Sequence, residues 1–204
     1  MDNQNGARQP YTPITPPSWG AMACKRAFDI VCSLLGLVVL SPLLLVVSLL
    51  VAVTSPGGVF FRQERIGKGG KPFRIFKFRS MRKDNAGLKI TTGNDSRITP
   101  VGRFLRKSKI DELPQLINVL VGDMSFVGPR PEVADYVSLY TPYQRQVLLV
   151  RPGITGLASI RFRNENDLLT ASDDPNRTYV EQIMPRKIDL DLEYIPHASV
   201  LYDI

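Results

Sequence analysis

The stretch from Ile30 to Val53 reads IVCSLLGLVVLSPLLLVVSLLVAV, and no charged side chain appears until after Phe61. Such a run is the solvent pattern of a bilayer rather than of a water-facing domain. As one unbroken helix its 24 residues would rise ~36 Å, enough to cross the hydrocarbon core. Pro42 argues against that helix, because it has no N–H to donate and its ring clashes one turn back. Ser41 can satisfy a freed backbone group locally. Each half is then roughly 18 Å long and reaches only about the midplane. Lys25 and Arg26 precede the run and Arg62, Arg65 and Lys68 follow it, and positive charge on both flanks favours both ends on the cytoplasmic side. A re-entrant helical hairpin broken at Ser41-Pro42 meets both constraints. A kinked spanning helix is the alternative, since membrane helices tolerate proline.

Outward from this segment the chain divides into three parts: a Pro-rich arm (1–23) read as mobile, the membrane hairpin (24–56), and a charged domain (57–204). The arm does not read as a cleaved signal, since the apolar core starts late and is too long. Trp19 reads as an interfacial contact and Cys24 as a membrane-edge residue rather than a lipidation site. The net charge is +7, and nine basic residues lie between Arg62 and Lys83 against the single acid Glu64. That cluster calls for phosphate in some form, and beside a membrane segment it faces anionic lipid. Two cysteines, Cys24 and Cys32, give no disulfide framework. The only histidine is His197, which removes Ser-His-Asp, Cys-His and His-rich zinc chemistry. A metal here takes oxygen ligands, which points to magnesium.

Within the domain, a strand near Val59–Gln63, a Gly67–Gly70 turn and a strand over Lys71–Arg79 predict a β-hairpin. The turn lacks the Gly-Lys-Ser/Thr ending of a P-loop. Residues 84–99 read as loop, with an incidental sequon at Asn94. Helices are expected over Pro100–Lys107, Glu112–Val121 (ending at Gly122) and Glu132–Leu149 (broken near Pro142). Gly128-Pro129-Arg130-Pro131 and Arg151–Gly156 read as turns. A last helix ends near Tyr194, with Ile183, Leu190 and Tyr194 on one side.

Two segments could carry chemistry. In Lys109-Ile110-Asp111-Glu112-Leu113-Pro114, Pro114 belongs in a first helical turn, which makes Asp111 the N-cap or close to it. Arg103, Arg106, Lys107 and Lys109 stand just upstream. One acid of the pair could hold magnesium while the other attacks phosphorus. Equally, Asp111 could merely cap the helix while Glu112 faces water. Arg130, fixed between two prolines, presents a planar fork suited to phosphate, or is an incidental turn residue.

Taken together, KRAFDI, the interrupted apolar hairpin, RQERIGKGGKPFRIFKFRSM, GRFLRKSKIDELPQLINVLVGDMSFVGPRP and RPGITGLA resemble the bacterial sugar transferase family, the small monotopic phosphoglycosyl transferases. LDLEYI, from Leu190, resembles a later family element. The resemblance implies a mostly helical α+β fold, a re-entrant membrane helix-break-helix with a compact cytoplasmic catalytic domain and a short β-hairpin, at the bacterial inner membrane. It implies transfer of a sugar-1-phosphate from a UDP-sugar to undecaprenyl phosphate, with release of UMP and with Mg2+. It makes Asp111 the nucleophile of a covalent aspartyl phospho-sugar intermediate and Glu112 the metal ligand. It places Lys77, Arg106 and Arg130 at substrate phosphates and Asp191 in the active site. Arg79 and Arg151 join the phosphate-binding set. Anionic lipids are expected partners and nucleic acid is not, while the oligomeric state stays open. The chain departs from many relatives at Leu157–Glu165, where they carry a Trp-Gln-containing version, so the sugar is not fixed. The chief rival is a non-enzymatic, membrane-anchored basic protein that binds lipid or nucleic acid, which leaves the acids among the bases unexplained. A transferase with several spanning helices is disfavoured by the single apolar segment.

Overall fold

The computed structural model describes residues 12–55, 57–82 and 97–204, apart from the Asn166 side chain. The loop expected over 84–99 and the Asn94 sequon fall almost wholly outside them. Ser18 opens α1 (Trp19–Val39) by accepting a hydrogen bond from Ala21 N, an ordinary N-cap. After Leu40, α2 (Ser41–Thr54) leaves at a bend of 63°. The bend has a local cause. Pro42 cannot donate to the carbonyl of Val38, and the Ser41 hydroxyl donates to it instead at 2.8 Å. Neither helix alone is long and apolar enough to cross a membrane, though the bent pair passes together by length and composition. Leu35, Val39, Leu45, Leu49 and Val53 lie exposed along it, an aliphatic surface that no described residue covers.

β1 (Phe60–Ile66) and β2 (Pro72–Phe78) form the expected antiparallel hairpin, with Phe61 opposite Lys77 and Arg65 opposite Phe73. α3 (Pro100–Lys107) is capped by Thr99, whose hydroxyl accepts from Gly102 N. A 3-10 turn, Ile110–Glu112, leads into α4 (Gln115–Val121), which ends at Gly122 in the left-handed region. Then follow β3 (Ser125–Val127), α5 (Ala134–Ser138), β4 (Gly153–Thr155), α6 (Leu157–Arg161), α7 (Glu165–Thr170) and α8 (Pro175–Thr178). A π-helical turn, Tyr179–Ile183, runs into α9 (Met184–Tyr194), and α10 (Val200–Asp203) follows.

The chain is mostly helical with a short hairpin, as expected. β3 and β4 add a parallel pair that the sequence reading did not include. The long helix expected over Glu132–Leu149 is instead α5 plus a 3-10 segment, Gln144–Leu149. Thr141-Pro142 breaks the run because Pro disfavours helix in the residue before it. On α9 the buried residues are Met184, Lys187, Ile188, Asp191, Leu192 and the expected Tyr194; Ile183 just ahead is buried as expected, while Leu190 is only half-buried.

The arm is not wholly loose. Gln146, buried, accepts from Ile14 N at 2.6 Å and donates to Thr12 O at 3.3 Å, and Ile14 packs against the core of α5 and α9. The two bases before the apolar run do not simply face headgroups. The Lys25 ammonium is buried and ion-paired with Asp203 of α10. The Arg26 guanidinium donates to the carbonyls of Val119 and Leu120, the latter at 2.8 Å, satisfying the end of α4. Both links pin α1 to the domain. α2 is pinned by a second apolar cluster, in which Val47 and Val51 meet Phe78, Leu105 and, beside the acidic pair, Ile110.

Candidate active site

Lys109 turns the chain between α3 and the acidic pair with φ 60°, the left-handed region that non-glycine residues seldom adopt. The backbone then runs through Leu113 and Pro114 in helical conformation, so α4 begins at Gln115 without a side-chain cap. Asp111 is therefore not the N-cap that its sequence position suggests. Its side chain is buried, and Oδ1 has no hydrogen-bond partner among the described residues. A buried carboxylate oxygen without a donor is costly and calls for a functional account.

Glu112 is the opposite case. Its Oε1 accepts from Lys77 Nζ of β2 at 2.7 Å and from Arg130 Nη2 at 3.2 Å. Burial pushes the Glu112 carboxyl up, but Arg130 and Lys77 outweigh it and hold the group well below the usual carboxylate range. Burial and the neighbouring Arg130 push the Lys77 ammonium down to about 8, against the pull of Glu112. Asp111 moves up through burial, Lys77 opposing and Glu112 adding to the shift. Arg106 on α3 and Lys109 also act on Asp111 as nearby positive charges, and the Arg106 guanidinium lies 3.6 Å from Met81 Sδ.

Arg130 is held from both sides. Gly128 N donates to Thr155 O at 3.0 Å and Gly153 N to Pro129 O at 2.9 Å, which ties the turn to β4. Beyond it, Arg65 Nη1 donates to Pro131 O at 3.2 Å, and Ile66 N donates to Glu132 O at 2.8 Å. The Glu132 carboxylate takes Arg65 Nη1 at 3.4 Å and the Tyr179 hydroxyl. Arg65 was read only as a basic flank of the apolar run, and Glu132 was not singled out for the site. Both serve the Arg130 turn through contacts distant along the chain, and no local pattern marks them. Asn118 was also missed, although a fully buried amide inside LINVLV is a legible signal. Its Oδ1 accepts from Phe76 N and its Nδ2 donates to Arg74 O, both at 2.9 Å, and so it fixes β2 on α4.

Asp191 of α9 is buried, with Oδ1 unpartnered among the described residues. Burial pushes its carboxyl up to about 7, against Lys187 and the backbone N–H groups of Ala158 and Arg130. Two bases assigned to phosphate are engaged by backbone carbonyls. Arg79 donates to the carbonyls of Gly57, Gly58 and Phe60, closing the turn after α2. Arg151 Nε donates to Gly122 O at 2.9 Å, beside Arg26 at the end of α4. The basic run from Arg62 is likewise divided: Arg62 lies over the Phe76 ring, Arg65 holds Glu132, and Lys77 holds Glu112. Lys83 lies outside the described residues.

Acids and bases from β2, α3, the 3-10 turn and the Gly128–Pro131 turn thus converge beside the inner end of a bent apolar helix pair. A family model described as bacterial sugar transferase matches residues 20–204, and the chain belongs to that family. Among its relatives it is 42% identical over 212 residues to the UDP-glucose:undecaprenyl-phosphate glucose-1-phosphate transferase of Escherichia coli (strain K12), covering 100% of this chain and 43% of that protein. It is 42% identical over 193 residues to the exopolysaccharide production protein PSS of Rhizobium leguminosarum bv. phaseoli, covering 90% of each. It is 39% identical over 185 residues to the UDP-N-acetylgalactosamine-undecaprenyl-phosphate N-acetylgalactosaminephosphotransferase of Aeromonas hydrophila, covering 88% of this chain and 41% of that protein. The chain thus spans about two fifths of the length of the E. coli and A. hydrophila relatives.

Proposed function

We propose that this protein transfers a sugar-1-phosphate from a UDP-sugar to undecaprenyl phosphate, through a covalent intermediate on Asp111. One observation carries the reading. Asp111 keeps a buried carboxylate oxygen without a donor, one residue from a carboxylate locked by two cations. A poorly solvated carboxylate is a competent nucleophile, and the cations around it offset the charge of an incoming phosphate. In the first step Asp111 attacks the sugar-linked phosphorus, the phosphoanhydride bond breaks, and UMP leaves with its electron pair. In the second step a phosphate oxygen of undecaprenyl phosphate attacks the same phosphorus. The acyl-phosphate bond breaks, the Asp111 carboxylate is restored, and the sugar leaves on the lipid diphosphate. Splitting the transfer lets a soluble donor and a membrane-bound acceptor visit one site in turn.

Arg130 and Arg106 suit phosphate oxygens on either side of the reacting phosphorus. Lys77 holds Glu112 ionised and in place. The role of Asp191 lies in the same site, beneath the Arg130 backbone. The donor set fits magnesium. Among the described residues no group of three acids, histidines or cysteines is placed to hold a metal, but magnesium is commonly held by one or two carboxylates together with substrate phosphates. Glu112 supplies such a carboxylate, leaving the unpartnered Oδ1 of Asp111 for the attack, and the ion would neutralise charge on the donor diphosphate. The exposed aliphatic surface of α1 and α2 and the Pro42 bend support a re-entrant hairpin in the bacterial inner membrane, with the domain on the cytoplasmic face among anionic lipids.

The test is UMP release by the detergent-solubilised chain with undecaprenyl phosphate, Mg2+ and a panel of UDP-sugars, followed by intact mass. The expected result is a mass gain of one phospho-sugar in the absence of lipid, lost in Asp111→Asn together with turnover. An Asp111→Asn protein that turns over undiminished would end the proposal, and the donor that gives the mass gain identifies the sugar.

A further inference from the structure

What lies beneath α3 fixes which of its faces points outward. A Cβ at Gly102 would fall 2.0 Å from Ser80 O, so that side of the helix lies directly on the backbone just past β2. Leu105, buried, and Val101 pack with Val47 and Val51 of α2. At about 100° per residue the remaining side chains follow in order round the helix. Phe104 stands one turn on from Val101 and therefore borders α2. Lys107 and Arg103 come next, one turn apart. Arg106 completes the circle on the side of Asp111, on which its charge acts. Phe104 is 65% exposed. Arg103 and Lys107 are exposed as well, and neither is paired with an acid among the described residues. The length of α2 that α3 touches also presents Leu49 and Leu50 outward. An exposed ring between an aliphatic surface and two unpaired bases is the order of a helix lying in a membrane interface.

We propose that the outer face of α3 is a bilayer contact that sets the depth of the active site: the Phe104 ring enters the boundary between acyl chains and headgroups, and Arg103 and Lys107 bind anionic lipid phosphates. This rests on the membrane reading of α1 and α2 proposed above. The occupant is lipid because the ring continues the surface that the hairpin gives to acyl chains, while the bases beside it complement an anionic leaflet. A nucleic acid on the same bases would be pressed against that aliphatic surface. Arg106 shares the helix, so a helix seated in this way holds Arg106 level with the phosphate of a lipid acceptor.

The experiment makes Phe104→Trp and Leu45→Trp separately in a Trp19→Phe background, which leaves each chain one tryptophan. Emission is read in anionic nanodiscs whose lipids are brominated either near the headgroup or near the chain end. Phe104→Trp is expected to emit blue of the aqueous maximum and to be quenched about twofold by the shallow bromines, more than by the deep ones, as for a helix buried about 5–10 Å into the interface. The shallow quenching is expected to weaken in zwitterionic nanodiscs and in Arg103→Gln with Lys107→Gln. Emission at the aqueous maximum without quenching overturns the proposal. A blue-shifted but unquenched ring overturns it too, because a second copy or another protein then covers the face. Quenching indifferent to lipid charge and to both Gln changes overturns the role of the bases. Leu45, exposed near the bend, reports on the hairpin itself. If Leu45→Trp also escapes both sets of bromines, the membrane reading of α1 and α2 falls. If the deep bromines quench it while Phe104→Trp stays unquenched, only the α3 contact falls.

Discussion

Two adjacent carboxylates, one doubly bonded to cations and one without a donor, divide their work by environment alone. Glu112 stays ionised far into acid because Arg130 and Lys77 outweigh its burial. Lys77 titrates in the working range, since burial and Arg130 bring it to about 8. Below that pH it is charged and holds Glu112, and above it the ammonium and its hydrogen bond are lost. The kcat/KM profile is therefore expected to fall on its alkaline side with an apparent pKa near 8. In Lys77→Arg the fall should move beyond pH 10, arginine being always protonated, and an unmoved alkaline limb would count against the assignment. Asp191 gives a prediction about stability. Its folded-state carboxyl is raised to about 7, so the folded chain binds more protons than the unfolded one between the ordinary Asp value and 7. Stability is then lost as pH climbs through that window, and the cost is complete above it. Asp191→Asn removes the cost. At pH 8 it should be the more stable protein by about 2 kcal/mol in urea melts and near parity at pH 4, while its turnover falls. A less stable Asn variant at pH 8 would mean that the carboxylate is better paired than its surroundings allow.

At the scale of elements, the parallel β3–β4 pair is what aims Arg130. A Cβ at Gly153 would lie 2.2 Å from Gly128 N and 2.4 Å from Thr155 O, backbone atoms that cannot step aside. Gly153→Ala is expected to cost about 3 kcal/mol in chemical denaturation and to depress kcat with it, because the turn carrying Arg130 must move. The α1–α2 bend is the second working element. Pro42→Ala restores the backbone donor that the Ser41 hydroxyl replaces at the Val38 carbonyl and removes the ring clash, so the pair should straighten. With Cys32→Ser and Thr54→Cys as background, a membrane-impermeant thiol reagent applied to sealed vesicles should reach Cys24 and position 54, both exposed, from one face only. After Pro42→Ala the two should differ. These elements were unequally legible. The hairpin was readable because its glycine turn and alternating strands are local. The β3–β4 pair was not, since each strand is three residues long and its ladder closes only across α5 and the Gln144–Leu149 turn. The acidic pair stood out as a pair, but its asymmetry did not. That depends on Lys77 and Arg130 arriving from other elements, and on Leu113-Pro114 carrying the helical backbone onward so that α4 opens past the reach of Asp111.

Across the whole molecule, α1 is gripped at its root by groups far away in sequence. The Lys25 ammonium is buried against Asp203, which also accepts from the Tyr194 hydroxyl at 2.7 Å. Asp203→Ala leaves that ammonium without its counter-ion and is expected to cost about 3–5 kcal/mol in urea melts. Replacing both partners, Lys25→Met with Asp203→Leu, should restore most of the loss, and a pair change as harmful as the single one would show that packing rather than charge sets the cost. The paired carbonyls of Val119 and Leu120 on Arg26 make the same connection from the other side of α1. The placement of the bent apolar pair and the seating of the acidic turn are thus one mechanical problem, because α4 follows directly from that turn. The Gln146 side chain, stitching Thr12 and Ile14 to the domain, has its own consequence for the segment ahead of α1. Gln146→Ala would unclasp Thr12 and Ile14 while leaving the grip of Asp203, Val119 and Leu120 on α1 intact. A reporter at Thr12 would then be released, with α1 still in its seat.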